Sequence, residues 1–198
     1  MLFRFGKGMN YTAVLDFWFG APGTLMYGRP RAEWFRKSDA FDALIRDRFM
    51  GIYEAAVGAR LAQWRTSPLS LLALIIVCDQ FPRNMFRDSA RAFEADGQAR
   101  DHARRMVAMG WDNRLNAVER QFAYLPFEHS EHLSDQQASM LNFGRLAREH
   151  GQDGLLEWAR KHHVIIERFG RFPHRNAALG RVSTAEEIVF LNGPDSKF

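Results

Sequence analysis

Apolar residues recur along almost the whole chain at the spacing of an amphipathic helix. In residues 41–49 the apolar side chains stand at i, i+3, i+4 and i+8, so they share one helix face. No segment alternates apolar and polar residues over enough positions to predict a strand. The apolar run at residues 69–78 predicts a helix that is buried on nearly all sides. The pattern therefore predicts an all-α fold.

Residues that favour helix ends divide this pattern into separate helices. Ser38 is a candidate N-cap, and Ser67 followed by Pro68 has the N-cap and N1 residues of another helix. Three pairs have capping-box spacing, namely Asn116 with Glu119, Ser134 with Gln137, and Thr184 with Glu187. Glycines that should end helices are Gly58, Gly110, Gly151, Gly170 and Gly180. These positions predict a single domain of roughly eight to ten helices.

Composition and charge limit the function classes. The chain has 198 residues, of which 46% are hydrophobic and 25% are charged, as in a folded domain. The formal net charge is +4, and 23 of the 27 basic residues are arginine. Basic residues are interleaved with acidic ones, so the sequence lacks the concentrated positive patch of a nucleic-acid site. Nucleic acid is therefore not an expected partner.

The sequence also predicts where the protein is located. The longest apolar run is far shorter than the roughly 20 residues that a membrane-spanning helix needs. The N-terminal region resembles a signal peptide only in part, because Asp16 interrupts its apolar segment. The single cysteine, Cys78, excludes an internal disulfide. We therefore predict a cytoplasmic protein that does not bind membranes.

Three polar stretches adjoin apolar segments that should lie in the core. They are residues 79–84, residues 126–132 and residues 167–176. Charged groups at such positions are costly to bury without partners. They are therefore expected to form either a ligand pocket or an ion-pair network that ties helices together, and the sequence leaves both interpretations open.

A pocket built from these stretches would suit a small anionic ligand. Arginine side chains bind carboxylates and phosphates, and histidine beside glutamate can transfer protons near neutral pH. The candidate ligand-binding residues are Asp79, Arg83, Asn84, Arg171, Arg175 and Asn176. The candidate catalytic residues, which would move protons, are Glu128, His129 and His174. This hypothesis requires that the groups meet at one cavity.

Metal or cofactor chemistry has weaker support. His129 and His132 could share a helix face with Glu128, but no spacing selects further ligands. The sequence contains no His-Glu-x-x-His motif, nucleophile elbow, Walker loop or Rossmann fingerprint. We therefore predict neither a metal nor a cofactor.

Two of the polar segments resemble each other. Residues 81–84 are Phe-Pro-Arg-Asn, and residues 172–176 are Phe-Pro-His-Arg-Asn. In each, proline is expected to end the preceding helix and asparagine to begin a new turn. The additional histidine in the second segment argues against a regular repeat.

Five segments carry the pattern of a known family, namely residues 14–20, 79–87, 124–131, 168–176 and 179–191. In these segments the chain resembles the bacterial domain of unknown function 924 family. The resemblance implies a tetratricopeptide-like right-handed superhelix of stacked helical hairpins, and it implies no established activity. It also predicts one domain at residues 14–198, preceded by an extension, residues 1–13, whose first ten residues are expected to pack poorly.

Two functions remain open at this stage. The first is a site, catalytic or not, for a small anionic molecule lined by Arg, His and Glu. The second is a non-catalytic scaffold that binds a peptide or protein in a groove, because stacked helical hairpins form concave surfaces. The scaffold hypothesis predicts a groove lined by tryptophans such as Trp18, Trp34 or Trp64, although packing in the core is the simpler role for aromatic residues.

Overall fold

The computed structural model describes residues 9–194 and 196. Within these residues, eight α-helices are joined by short loops and 3-10 turns, and no strand is present. The helices are α1 (Tyr11–Phe19), α2 (Asp39–Val57), α3 (Pro68–Met85), α4 (Asp96–Ala108), α5 (Ala117–Glu128), α6 (Leu133–His150), α7 (Asp153–Phe169) and α8 (Ala185–Leu191). The predicted all-α fold is confirmed.

The predicted N-terminal extension falls mostly outside the described residues. Residues 1–8 are not described, so the expected poor packing there stays a prediction. Met9 is exposed, and Asn10 caps α1 by accepting a hydrogen bond from the Thr12 N–H at 3.0 Å. The first helix therefore begins within the predicted extension, at Tyr11.

Most of the predicted helix starts are observed. Ser38 caps α2 by accepting from the Phe41 N–H, and Ser67 caps α3, whose first residue is Pro68. Complete capping boxes are formed by Asn116 with Glu119 and by Thr184 with Glu187. Local side-chain chemistry therefore determines where these helices begin.

The capping box predicted at Ser134 is wrong. Ser134 lies inside α6, which begins one residue earlier, and its N-cap residue is His132. The preceding turn is held by Ser130, whose hydroxyl donates to Asp135 at 2.7 Å and accepts from the His132 N–H at 3.1 Å. These bonds support the turn and the first residues of α6 without a contribution from Ser134.

Helix α3 is the central helix of the core and is buried along nearly its whole length. It packs against α1, α2, α4 and α5. The prediction that Pro82 ends this helix is wrong, because α3 continues to Met85. Pro82 has no N–H to donate to the carbonyl of residue i−4, but the last turn is closed by the Phe86 N–H, which donates to the Pro82 carbonyl oxygen at 2.9 Å. The polar residues 79–84 therefore stand on a continuous helix.

The other helices pack mainly against their neighbours in sequence. Helix α5 contacts α6, α6 contacts α7, and α8 contacts the 3-10 turn Pro173–Arg175. Most buried apolar side chains form one cluster, which supports the predicted single domain. The right-handed superhelix stays a prediction. Among the described residues, no helix has the length and apolar character required to cross a membrane.

The tryptophans expected to line a scaffold's groove lie mostly in the core. Trp18 is fully buried and meets the rings of Phe81 and Phe122 edge to face, with centroids 5.6 Å apart in both pairs. Trp64 is also buried, and Trp34 stacks on Trp18 at 6.0 Å. Trp18 and Trp64 therefore serve the packing of the core, and the expected groove is not formed by them.

Candidate functional site

A cavity of about 390 Å³ lies where the ends of α3 and α5 face α7 and the turn Pro173–Arg175. Its cationic lining residues are Lys37, Arg83, Arg87 and Arg175. Its other polar lining residues are Gln80, Asn84, Asp88, His129, His162 and His174. Its apolar wall consists of Trp34, Phe35, Ala92, Phe93 and Leu125. The volume is at the small end of the range for small-molecule sites.

Arg83 and Arg175 come from distant parts of the chain and bind the same carboxylate beside the cavity. Arg83 donates from Nη1 and Nη2 to the two oxygens of Asp96 at 2.9 and 3.1 Å. Arg175 donates from Nη1 to Asp96 Oδ2 at 3.3 Å and from Nη2 to the His129 carbonyl oxygen at 2.9 Å. The two guanidinium groups are therefore held side by side.

The Arg175 side chain is fixed between two aromatic rings. Its guanidinium carbon lies 4.7 Å from the ring centroid of Phe93 and 4.5 Å from that of Phe172. Burial and the nearby charge of Arg83 lower the pKa of Arg175 to about 10. This value still leaves the side chain protonated at neutral pH, so the cavity keeps a rigid positive group.

Asp79 orients His129 at the cavity wall. The Nδ1 atom of His129 lies 2.8 and 3.0 Å from the two Asp79 carboxylate oxygens, and Gln80 Nε2 donates to Asp79 Oδ2 at 2.6 Å. Burial alone would raise the pKa of Asp79, but Arg83 and His129 outweigh it and hold the pKa below its usual range. Because an ionised carboxylate only accepts hydrogen bonds, His129 donates from Nδ1.

The Asp79–His129 contact joins a carboxylate to a neutral imidazole. Burial lowers the pKa of His129, although the charge of Asp79 opposes this effect. His129 is therefore uncharged at neutral pH, and with the proton on Nδ1 its Nε2 atom is a hydrogen-bond acceptor. No partner for Nε2 is found among the described residues. This arrangement is the one that a general base requires.

Glu128 lies next to His162 and not beside His129. Its Oε1 atom is 3.4 Å from His162 Nδ1, which donates to the Trp158 carbonyl oxygen at 2.9 Å. Burial, with a contribution from the charge of Asp79, raises the pKa of Glu128 to about 8. Burial also lowers the pKa of His162 to about 3. Both groups are therefore uncharged at neutral pH, and their contact is not an ion pair.

The structure brings five of the nine predicted site residues to the cavity, namely Arg83, Asn84, His129, His174 and Arg175. Burial and the charge of Arg175 lower the pKa of His174 to about 4. Asp79 lies behind His129 and is buried. Glu128, which was expected to move protons together with His129 or His174, lies next to His162 instead, a residue that the sequence did not select. Consecutive residues at a helix end point in different directions, so His129 turns to Asp79.

Arg171 and Asn176 do not line the cavity. Arg171 makes a bidentate contact with Glu187, at 2.6 and 2.7 Å, and also donates to the Val182 carbonyl oxygen. Asn176 Nδ2 lies 3.1 Å from Ser183 Oγ and 3.3 Å from Glu187 Oε2. Glu187 is the N3 residue of α8, so both side chains attach that helix to the preceding turn. Both side chains are therefore engaged outside this cavity, and their ligand-binding role stays a prediction.

Several cavity residues could not be found by sequence reasoning. Arg87 lies beyond the end of α3 and is held at the cavity by Asp42, a contact that sequence spacing does not predict. Asp96 belongs to none of the polar motifs, and only the tertiary fold brings it to Arg83 and Arg175. Lys37 comes from the loop between α1 and α2 and belongs to none of the polar motifs.

The described residues offer no arrangement suited to a metal ion. No group of three or more His, Cys, Asp or Glu side chains among them is placed to hold one. His129 is bonded to Asp79, and His132 is exposed at the start of α6. A second cavity of about 180 Å³ between α2 and α4 is lined mainly by apolar groups and is below the usual size of a ligand site.

Fold and cavity together define an all-helical, single-domain protein with arginine and histidine side chains around one polar cavity. The chain belongs to the family described as bacterial protein of unknown function, DUF924, whose model matches residues 14–195. It is also similar to the solved structure of Protein of Unknown Function ATU0120 from Agrobacterium tumefaciens. That match has 37% sequence identity and a TM-score of 0.80, and it covers 92% of this chain and 96% of that chain. No curated protein matches the chain. The family resemblance seen in the sequence is therefore confirmed.

Proposed function

We propose that the protein binds a small anionic molecule in this cavity and that His129 exchanges a proton with it. The observation that carries the proposal is the convergence of Arg83, His129 and Arg175, from three separate segments, on one cavity. Convergent polar groups beside an apolar wall are the usual composition of a small-molecule site.

The charge of the lining favours an anion. Four lining side chains are cationic, and Asp88 is the one carboxylate among the lining residues that the structure describes. Arg175 supports this role because its guanidinium is rigid, and a preorganised group loses little entropy when a ligand binds. Protein carboxylates pair with the three arginines, so the positive charge that favours an anionic ligand is that of Lys37.

His129 is suited to proton exchange because its partners fix both its position and its protonation. The Asp79 carboxylate holds Nδ1, which leaves Nε2 to take up a proton from solution and to donate it to a bound anion. The imidazolium formed in this step is stabilised by the charge of Asp79. Asp79 thus acts as a positioning residue, and His129 is the candidate catalytic residue.

Calorimetric titration and thermal shift with a panel of anionic metabolites test the binding proposal. Lys37 lines the cavity and is exposed, so Lys37→Ala should weaken binding without unfolding the protein. Lys161→Ala, at an exposed lysine on α7, is the matched control and should bind as the wild type does. A ligand at about 100 times its Kd should stabilise the folded state by roughly 2.7 kcal/mol. If no anion stabilises the wild type, or both variants bind equally well, the proposal is wrong.

Titration in two buffers of different ionisation enthalpy tests the role of His129. The difference in measured heat gives the number of protons taken up or released on binding. An anion bound beside Nε2 favours the imidazolium, so we expect the wild type and His132→Gln, a control at an exposed histidine, to take up a proton from the buffer on binding, and His129→Gln to take up none. Equal proton exchange in all three proteins would show that His129 does not participate.

A further inference from the structure

Each arginine in the cavity wall already faces a carboxylate of the protein. Arg87 contacts Asp42 through two bonds, one of which joins Nη2 to Oδ1 at 2.8 Å. Arg83 binds Asp96 through two bonds, and Asp96 Oδ2 also lies 3.3 Å from Arg175 Nη1. A ligand in the cavity therefore meets guanidinium groups whose charges are largely matched by protein anions.

Asp96 is central to this balance because one carboxylate serves two arginines. Arg83 also lies 3.3 Å from Asp79, so the Arg83–Arg175 pair is matched by the two carboxylates of Asp79 and Asp96. The Asp96 side chain is only 14% exposed, so solvent screens these charges weakly. A neutral residue at position 96 would leave one unmatched positive charge beside the cavity.

Lys37 differs from the three arginines of the lining. It has no carboxylate partner among the described residues, and its side chain is exposed. Lys37 and the lining carboxylate Asp88 are both exposed, so water screens both charges, but Lys37 is the lining cation that a ligand can reach without displacing a protein carboxylate. With the buried charges balanced, the cavity offers a match for one negative charge. A second negative charge on the ligand would be desolvated without a cation to compensate for it.

The apolar wall suggests the shape of the uncharged part of the ligand. Trp34, Phe35, Phe93 and Leu125 line the cavity, and the Phe35 ring is 66% exposed although it borders the site. A flat apolar group that stacks on this ring removes both surfaces from water. The apolar residues thus complement a planar ligand body next to the single charge.

We propose that the cavity selects a monocarboxylate with a flat apolar body and that Asp96 sets this charge preference by neutralising the Arg83–Arg175 pair. This inference rests on the proposed function, because it specifies the ligand of the same cavity. It assigns to Asp96, a residue outside the predicted site, the role of a specificity determinant.

Benzoate, phenyl phosphate and acetate are the probes that test this preference. At about pH 8 phenyl phosphate is a dianion, because the second pKa of a phosphate ester is near 6. We expect the wild type to bind benzoate about ten-fold more tightly than phenyl phosphate or acetate. In Asp96→Asn, we expect phenyl phosphate to bind about ten-fold more tightly than in the wild type. Asp101→Asn, at an exposed residue on the same helix, is the matched control and should keep the wild-type preference.

The outcomes separate this inference from the proposed function. If the wild type binds phenyl phosphate as tightly as benzoate, the selectivity proposal is wrong, whereas anion binding stands. If neither the wild type nor the variant binds any anion, the proposed function fails as well. If Asp96→Asn does not fold, titration of the wild-type protein with phenyl phosphate from about pH 5 to 8 tests the charge preference. The affinity for phenyl phosphate, relative to that for benzoate, should fall as the dianion forms.

Discussion

Replacing Glu128 by glutamine should change how the stability of the protein depends on pH. Glu128 is 4% exposed, and the like charge of Asp79 adds to the effect of burial on its carboxyl group. Burial and this neighbour raise its pKa from 4.5 to about 8, so the folded protein keeps a proton that the unfolded chain releases. Glutamine has nearly the same shape and cannot ionise, so Glu128→Gln removes this linkage.

The sign and size of the effect follow from the two pKa values. Between pH 4.5 and 8 the folded state binds more protons at Glu128 than the unfolded state, so wild-type stability falls as pH rises. The whole change amounts to roughly 5 kcal/mol, because each pKa unit corresponds to about 1.4 kcal/mol. Buried His162 and His174 have lowered pKa values and act in the opposite direction below about pH 6.5. Between about pH 6.5 and 9, the Glu128 contribution is roughly 2 kcal/mol.

Urea unfolding of wild type and Glu128→Gln from about pH 6.5 to 9 measures this difference. We expect the wild type to lose roughly 2 kcal/mol relative to the variant over this range. Glu157→Gln, at an exposed glutamate on α7, controls for the loss of a carboxyl group elsewhere on the chain. If the wild-type and Glu128→Gln curves run parallel, Glu128 is ionised in the folded state and the interpretation of the Glu128–His162 contact is wrong.

Three further substitutions test the core, a helix cap and a buried polar network through urea unfolding. Phe81→Ala should lower the free energy of unfolding by about 3–5 kcal/mol, because the fully buried ring leaves a cavity at the centre of the core. Asn116→Ala should lower it by about 1 kcal/mol, because it removes the capping box of α5. Asp112→Asn should lower it by about 2 kcal/mol, because Asp112 accepts hydrogen bonds from Tyr124 and from the cationic Arg145. A loss below about 0.5 kcal/mol would contradict the corresponding prediction.

The helices were predictable because their causes are local in sequence. Apolar spacing identifies the buried faces, and Ser38, Ser67 and Asn116 mark helix starts through bonds to residues within three positions. The two errors arise where another contact replaced the expected one. At Ser134 the turn is held by Ser130 instead, and Pro82 is accommodated inside the last turn of α3.

The candidate site was predictable only as far as its residues belong to sequence motifs. Arg83, His129 and Arg175 stand in polar segments next to apolar ones, and this position marked them as candidates. Asp96 carries no such mark, because its relation to the cavity arises from helix packing. Sequence spacing cannot specify these tertiary contacts, so the partner of each motif residue had to come from the structure.

The two similar segments, residues 81–84 and residues 172–176, illustrate this difference. Pro82 lies inside an α-helix, whereas Pro173 opens a 3-10 turn, so the segments are not copies of one structural unit. Their asparagines differ as well, because Asn84 bonds to Asp42 and Asn176 lies near Ser183 and Glu187. What the segments share is an arginine that reaches Asp96 at the cavity. Since the backbones differ and the guanidinium groups meet, the common feature is the placement of two arginines on one carboxylate. This placement is the arrangement on which the proposed anion site and its charge preference depend.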